Sequence, residues 1–248
     1  MKTLIQALCF AAVLLTGTAQ ASTFWESTFN AQDCNWRNAF DNSCLEVGNG
    51  VVQIATDIKH EGAGSVKYFF DIPQVGSCLQ PHVNFTDNCN GYWNRTITES
   101  STLWQRFWLY IGSDFVGSEP YTKITKIGAN GWSDWLTFTF GNSTGLVMGN
   151  QGWPDAGSTR MLYTNANVTR GTWTCIEIGR TMNTPGVANG TFYLYQDGVQ
   201  KAGYVDVGWR LAGDNTLPNI ARLYRQYGSG TLRIDQYAVG DTRIGCGS

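Results

Sequence analysis

Aromatic and cationic side chains occupy every second position between Trp104 and Tyr110. The set is Trp104, Arg106, Trp108 and Tyr110, and a further indole, Trp135, opens a later run of alternating apolar residues. Alternate residues of a strand share one face, so the pattern predicts one surface for these rings and the guanidinium. Sugar rings stack their apolar C–H faces on such aromatic side chains, while their hydroxyls pair with polar groups. The spacing therefore predicts a carbohydrate-binding surface, and the alternative is that the rings cover another layer of the fold.

Charge is scarce in this chain of 248 residues. Only 15% of its residues are charged, against about 25% in an ordinary globular domain. Lys and Arg number 17 against 19 Asp and Glu, so no basic excess is present for a nucleic-acid partner. A hydrophobic content of 42% with 13% aromatic residues excludes disorder. The composition predicts a turn-rich β protein that does not bind nucleic acid.

The N-terminal residues resemble a secretory signal. A positive start at Lys2 is followed by an apolar run from Leu4 to Leu15 and then by Ala19-Gln20-Ala21. This order predicts a signal peptide over 1–21 and one mature domain over 22–248. The apolar run is shorter than the roughly 20 residues that span a bilayer. We therefore expect secretion, either extracellular or periplasmic, without a membrane anchor.

Six of the seven cysteines lie outside that predicted signal. An even number of cysteines in an oxidising compartment predicts disulfides, although six cysteines allow 15 connectivities. Sequence spacing favours three pairs: Cys34–Cys44, Cys78–Cys89 and Cys175–Cys246. The rival interpretation, a metal site, is disfavoured because the chain has no C-x-x-C pair and only two histidines.

Short alternating runs with Gly or Asn between them predict one all-β domain with no helix longer than two turns. The predicted strands are 51–54, 65–72, 103–111, 121–127, 135–140, 146–149, 173–181, 191–196, 220–227 and 232–239. Asp197-Gly198 predicts a tight hairpin turn after Tyr195. Alternation turns one set of residues of the third predicted strand toward the core: Leu103, Gln105, Phe107, Leu109 and Ile111.

Several segments in the C-terminal half resemble secreted concanavalin A-like proteins related to polysaccharide lyases. They are Trp173-Thr174-Cys175-Ile176-Glu177, Asn183-Thr184-Pro185-Gly186, Asp197-Gly198, Arg106-Phe107-Trp108-Leu109-Tyr110, Tyr121-Thr122-Lys123-Ile124, Asp235-Gln236-Tyr237-Ala238-Val239 and Ile244-Gly245. The resemblance implies an all-β, concanavalin A-like jelly-roll β-sandwich of two antiparallel sheets. It also implies a concave face that handles an extracellular polysaccharide. Lectins share this fold, so the resemblance leaves catalysis open.

Lyase chemistry would need three kinds of group. β-Elimination from a uronic acid requires a partner for the carboxylate, a base for the C5 proton and an acid for the leaving oxygen. The candidates for catalysis are His82, Tyr224, Arg106, Lys123 and Gln226. The candidates for substrate binding are Trp104, Trp108, Tyr110, Trp135, Arg222 and Tyr227. The other histidine, His60, is predicted to lie in a solvated turn.

Two alternatives to a lyase remain open. A glycoside hydrolase needs a pair of carboxylates at fixed separation, yet none of the six glutamates forms an E-x-D-x-E type pattern and Glu177 is expected to be structural. A non-catalytic lectin or matrix protein would use the same aromatic face. No cofactor is required by any of these chemistries. A structural Ca²⁺ is compatible with the fold, although no D-x-D-x-D loop indicates its ligands.

Overall fold

The alternating runs form strands that pair only in the antiparallel sense. The computed structural model describes residues 23–38, 44–45, 52–74, 90–116, 122–128, 136–140, 148–152, 160–164, 166–226 and 228–247. Within these residues there are sixteen strands and no helix, so no described helix could cross a membrane. The predicted signal over 1–21 lies outside the described residues.

The first eight strands come from the N-terminal half of the chain. They are β1 (Thr23–Ser27), β2 (Asp33–Asn38), β3 (Cys44–Leu45), β4 (Val52–Ala55), β5 (Ser65–Gln74), β6 (Asn90–Thr96), β7 (Thr102–Ile111) and β8 (Thr122–Gly128). The others are β9 (Leu136–Phe140), β10 (Met148–Gly152), β11 (Arg160–Tyr163), β12 (Trp173–Thr181), β13 (Gly190–Gln196), β14 (Val199–Val207), β15 (Ile220–Gln226) and β16 (Gly228–Gly240).

The strands divide into two sheets of eight. The first sheet has the order β14-β13-β12-β7-β16-β5-β4, and β1 pairs beside it with the second half of β16. The second sheet has the order β11-β10-β9-β8-β15-β6-β2-β3. Many neighbours in each sheet are distant in sequence, which is the topology of a sandwich rather than of a meander. The predicted all-β jelly-roll class is confirmed.

One apolar core lies between the two sheets. Leu103, Phe107 and Leu109 of β7 are at most 2% exposed, as are Ile124 of β8 and Leu223 of β15. A polar contact also spans the core, because the Tyr237 hydroxyl lies 3.2 Å from Thr125 Oγ1 and donates to Gln105 Oε1 at 2.5 Å. The predicted core-facing set of β7 is therefore confirmed, including the buried Gln105.

The predicted strands correspond closely to ten of those observed. The prediction missed β1, β2, β3, β6, β11 and β14, which are short or polar at the positions where a core strand is apolar. The predicted turn is confirmed: Asp197 and Gly198 both have positive φ, at 49° and 79°, and connect β13 to β14. A hairpin of this kind needs two residues that tolerate the left-handed region.

The C-terminal segment crosses the outer face of the first sheet. A disulfide joins Cys246 to Cys175 of β12 across 71 positions of sequence, as predicted. Beside it, Arg243 Nη2 donates to Glu177 Oε2 at 2.7 Å and the Gly245 amide donates to Glu177 Oε1 at 2.8 Å. Glu177 thus has the structural role expected of it. The side chains of Cys34 and Cys44, and residues Cys78 and Cys89, lie outside the described residues.

The loop between β4 and β5 is fixed to the same face by an ion pair. Arg233 of β16 is buried and donates two hydrogen bonds to Asp57, at 2.8 and 2.6 Å. The Arg233 guanidinium holds the pKa of Asp57 down at about 2, below its ordinary 3.8. A paired fork of this geometry orients the loop as well as neutralising the buried cation.

We expect Cys246→Ser to lower the free energy of unfolding by about 2–4 kcal/mol, because the disulfide closes a long loop of the unfolded chain. Urea unfolding of wild type and of the variant, both without reductant, measures the change. An unchanged midpoint and slope would show that the hydrogen bonds to Glu177 hold the segment without the disulfide.

We expect Asp57→Asn to lower the free energy of unfolding by about 1–2 kcal/mol at neutral pH, because it leaves the buried Arg233 without its charged partner while Asp57 itself is solvent-screened. A folded pKa below the unfolded one stabilises the fold above about pH 4, and this contribution disappears as the pH falls toward 2. Urea unfolding from pH 6 to pH 2.5 should therefore show the gap between wild type and variant closing. A gap independent of pH contradicts the assignment.

Candidate functional site

The predicted site residues divide between the two sheets. Trp104, Arg106, Trp108 and Tyr110 lie on β7 of the first sheet. Arg222, Tyr224 and Gln226 lie on β15 and Lys123 on β8, which are neighbours in the second sheet. The inner faces of the sheets pack on each other, so the two outer faces are on opposite sides of the molecule. The structure therefore does not bring all the predicted residues onto one surface.

Arg106 is part of the structural framework of the first sheet. Its side chain is 7% exposed and forms an ion pair with Glu26 of β1. β16 lies between the two strands, with Ala238 paired to both Arg106 and Glu26, so the ion pair bridges three strands. A guanidinium buried in this way does not reach a substrate, and the predicted role of Arg106 as a carboxylate partner is corrected.

Trp108 and Tyr110 each lie against another ring. His60, from the β4–β5 loop, stacks on Trp108 with centroids 3.6 Å apart and planes at 15°. Trp173 of β12 lies 5.4 Å from Tyr110 and meets His60 edge-on at 6.0 Å. Burial lowers the pKa of His60 from its ordinary 6.5. The predicted solvated turn is present, since Lys59 and Glu61 are exposed, but the His60 imidazole itself is partly buried against an indole.

Asp235 anchors the segment that carries His60. Its buried carboxylate accepts the backbone N–H groups of His60 at 2.9 Å and Glu61 at 3.2 Å, and Gln236 N–H at 2.7 Å. Burial raises the pKa of Asp235 to about 6, and the three hydrogen bonds oppose this rise. The neighbouring Gln236 has a positive φ of 45°, at the bulge where β16 changes partner from β5 to β1.

Trp104 has different surroundings from the other two aromatic residues on the outer face of β7. No histidine or loop lies over it among the described contacts; its neighbours are Tyr193 and Tyr195 of β13. Tyr193 is parallel to it within 1°, with ring centroids 6.4 Å apart. Of the aromatic residues predicted on β7, Trp104 is therefore the one whose environment suits ligand stacking.

The second sheet brings the remaining predicted residues together by backbone register. Gln226 is paired directly with Lys123, and Tyr224 lies between Gln226 and Arg222 at alternate positions of β15. Ala221 and Leu223, on either side of Arg222, are 0% exposed in the core, so Arg222 belongs to the outer face. For Lys123, Tyr224 and Gln226 the structure describes the backbone.

Three further residues share this part of the second sheet and were missed by the sequence prediction. Tyr92 is the register partner of Tyr224, and Asn94 and Lys126 are those of Arg222. The alternation in Asn90-Gly91-Tyr92-Trp93-Asn94 is the signal that could have identified β6 as a strand of the site. His82, Trp135 and Tyr227 lie outside the described residues.

The described residues do not provide a carboxylate-rich metal site. No group of three or more His, Cys, Asp or Glu side chains comes together within them. The buried carboxylates also face donors already, since Asp235 accepts three N–H groups and Glu177 accepts from Arg243 and Gly245.

No known protein-family profile matches this sequence, and no curated protein matches it either. Solved structures do match. The endo-β-1,4-glucuronan lyase from Trichoderma reesei superposes with a TM-score of 0.59 at 13% identity, covering 84% of this chain and 94% of that chain. Alginate lyase vAL-1 from Chlorella virus gives a TM-score of 0.57 at 12% identity, covering 77% and 90%.

The chain has the jelly-roll fold of polysaccharide lyases. The cellulose-induced protein Cip1 shares it as well, with a TM-score of 0.53 at 15% identity over 90% of this chain and 100% of that chain. The predicted resemblance to concanavalin A-like, lyase-related proteins is thereby confirmed at the level of fold. At such low identity the fold does not carry a reaction with it, so any chemistry must be argued from this chain's own residues.

We expect Asp235→Asn to change the pH dependence of stability in the direction opposite to Asp57→Asn. A folded pKa raised above the unfolded 3.8 makes wild type lose stability as the pH rises from about 4 through 6. The variant lacks this titration, so the stability gap between wild type and variant should be larger at pH 4 than at pH 7. Urea unfolding at pH 4, 5, 6 and 7 measures it, and a constant gap would contradict the raised pKa.

Proposed function

We propose that this protein is a secreted polysaccharide lyase that cleaves a uronate-containing polysaccharide by β-elimination on the outer face of its second sheet. The observation that carries the proposal is the register of β8, β15 and β6, which gathers Lys123, Gln226, Arg222 and Tyr224. The fold shared with glucuronan and alginate lyases supports the same class of substrate.

The reaction breaks the bond between C4 and the leaving oxygen after a proton is removed from C5. The C5 proton is acidic only when the neighbouring carboxylate is neutralised, because the electron pair left on C5 then spreads into the carboxyl group. Arg222, Lys123 and Gln226 supply two cations and an amide donor for this role. Of these three residues, Arg222 is the one whose place on the outer face is fixed by the burial of its two neighbours in the core.

Tyr224 is the proposed proton-transfer residue. A phenol gives up its proton more readily next to cationic groups, and Tyr224 lies at the strand position between Arg222 and Gln226. As phenolate it would take the C5 proton, and as phenol it would return a proton to the leaving oxygen. His82 is the alternative base that the sequence offers. Tyr92, opposite Tyr224 in the register, is a second phenol available to the same site.

Substrate binding on this face is assigned to Arg222, with Trp135 and Tyr227 remaining predictions from the sequence. Trp135 directly precedes β9, and Tyr227 directly follows β15. Both strands belong to the second sheet, so chain position supports placing these rings near the proposed site. Trp108 and Tyr110 are not included, because they lie on β7 of the first sheet.

Secretion forms part of the proposal. The sequence of 1–21 has the order of a signal peptide, and the Cys175–Cys246 disulfide requires an oxidising compartment to persist. A polysaccharide too large to enter a cell would be met in that compartment. The competing function is a non-catalytic glycan-binding protein with the same fold.

We expect the purified mature protein, mixed with polyglucuronate and alginate, to raise the ultraviolet absorbance of the unsaturated uronate product. Tyr224→Phe should lower kcat by a factor of about 10²–10⁴, the usual contribution of a positioned acid–base group. Tyr204→Phe on the first sheet is the matched control and should retain wild-type rates. His82→Ala, assayed in parallel, identifies the base if Tyr224→Phe retains activity.

Flat absorbance on every uronate polymer, together with retained binding to one of them, would replace the lyase by the glycan-binding alternative. Activity that survives both substitutions would instead show that the site has been placed on the wrong residues.

A further inference from the structure

We propose that the outer face of the first sheet carries a second carbohydrate-binding site, which takes a neutral polysaccharide chain on a flat platform made by Trp104 and Tyr193. This aromatic platform lies on the side of the molecule opposite the proposed lyase site. Its geometry is independent of whether the second sheet is catalytic.

The platform results from a row of four register-paired positions across four adjacent strands. In order, the row is Trp104 of β7, Gly179 of β12, Tyr193 of β13 and Gly203 of β14. Aromatic residues and glycines therefore alternate along the row. Each glycine leaves space on the sheet surface into which a neighbouring ring can settle.

The indole of Trp104 lies face-down on the sheet. A Cβ added to Gly179 would stand 2.5 Å from Cζ2 of Trp104 and 2.6 Å from both Cε2 and Cη2. Nearly equal distances to three consecutive ring atoms mean that the glycine meets the face of the indole rather than its edge. Tyr193 is parallel to this indole within 1°, so both rings are flat on the sheet and side by side, 6.4 Å apart.

A flat pair of rings in this orientation presents its upper faces outward. Trp104 and Tyr193 are each partly exposed, and no stacked histidine lies over either of them among the described ring contacts, unlike Trp108 under His60. The C–H faces of pyranose rings stack on aromatic faces in this way, and an extended chain with flat sugar rings can contact both at once.

Polar groups border the platform where sugar hydroxyls would lie. The Tyr195 hydroxyl donates to Gln200 Oε1 at 2.9 Å, which leaves the Gln200 amide nitrogen over Gly203, beside Tyr193. In the described part of the chain, neither the indole N–H of Trp104 nor the Tyr193 hydroxyl has a hydrogen-bond partner. The indole N–H can donate to a sugar hydroxyl, and the tyrosine hydroxyl can both donate to and accept from one.

The charge around the platform favours a neutral chain over a uronate. Glu177 is 1% exposed and paired with Arg243, whose guanidinium lies 3.7 Å from the centre of the Tyr195 ring. The adjacent row across the same strands consists of three threonines, Thr102, Thr181 and Thr191. Arg243 is already paired with Glu177, whereas Arg222 and Lys123 are the proposed partners of a uronate carboxylate on the second sheet.

The test is affinity electrophoresis in native gels containing galactomannan, hydroxyethylcellulose or alginate. Wild type should be retarded by at least one of the two neutral β-1,4-linked glycans. Trp104→Ala and Tyr193→Ala should each weaken that binding by about tenfold, the effect of losing one ring contact. Tyr193→Phe keeps the ring and should bind like wild type within a few-fold.

Two controls separate this site from folding effects and from the lyase site. Val205→Ala removes an exposed apolar side chain from the neighbouring strand β14 and should not change retardation. Tyr224→Phe should stop uronate cleavage while leaving retardation in the neutral gels intact. Unfolding midpoints of all variants are measured alongside, and Tyr193→Ala remains informative if Trp104→Ala is unstable.

The proposal is overturned if wild type migrates freely in both neutral glycans, or if the alanine variants are retarded as strongly as wild type. It is also overturned if alginate alone retards the protein. A second copy of the chain is the other partner that this surface could bind, and sedimentation of each variant tests for it. Self-association that disappears in Trp104→Ala and Tyr193→Ala would assign the platform to a contact between two copies. Failure of the uronate assay alone leaves this binding result standing.

Discussion

Side chains alternate between the two sides of a β-strand, so each strand of a two-layer sandwich can bury only one side in the common core. The first sheet meets this constraint by covering much of its outer face with other segments of the chain. The β4–β5 loop and the C-terminal segment are each held there by a buried charged group, and a third ion pair links the edge strand β1 to β7 across β16. The ion pairs are Arg106–Glu26, Arg233–Asp57 and Glu177–Arg243.

The two outer faces of the sandwich therefore differ in the kind of side chain that they carry. On the first sheet, the charged groups of Arg106, Arg233 and Glu177 are paired within the protein, and the rings of Trp104 and Tyr193 lie parallel to each other. On the second sheet, cationic and amide residues occupy adjoining register positions on β8 and β15. Under the two proposals, the protein would hold a neutral polymer on one face while acting on an acidic polymer with the other.

Much of the fold could be predicted from local sequence patterns, whereas the assignment of strands to the two sheets could not. Alternation within 103–111 correctly separated core residues from outer ones, since that information is present in each strand alone. The partner of Arg106 lies 80 positions away, and nothing in the strand indicates that Glu26 will neutralise it. Whether β7 and β15 share a sheet depends on long-range pairing, so the predicted site combined residues from opposite faces.

Gly179 and Trp104 depend on each other for space on the sheet surface. The indole fills the space that a side chain at position 179 would need, and the glycine allows the indole to lie flat. Neither residue can change freely while the other stays, because any Cβ at 179 would tilt or expel the ring. Relatives of this protein that diverged along the row should therefore replace the two positions as a pair. A small residue at 104 would permit a side chain at 179, and covariation between them would trace the history of this surface.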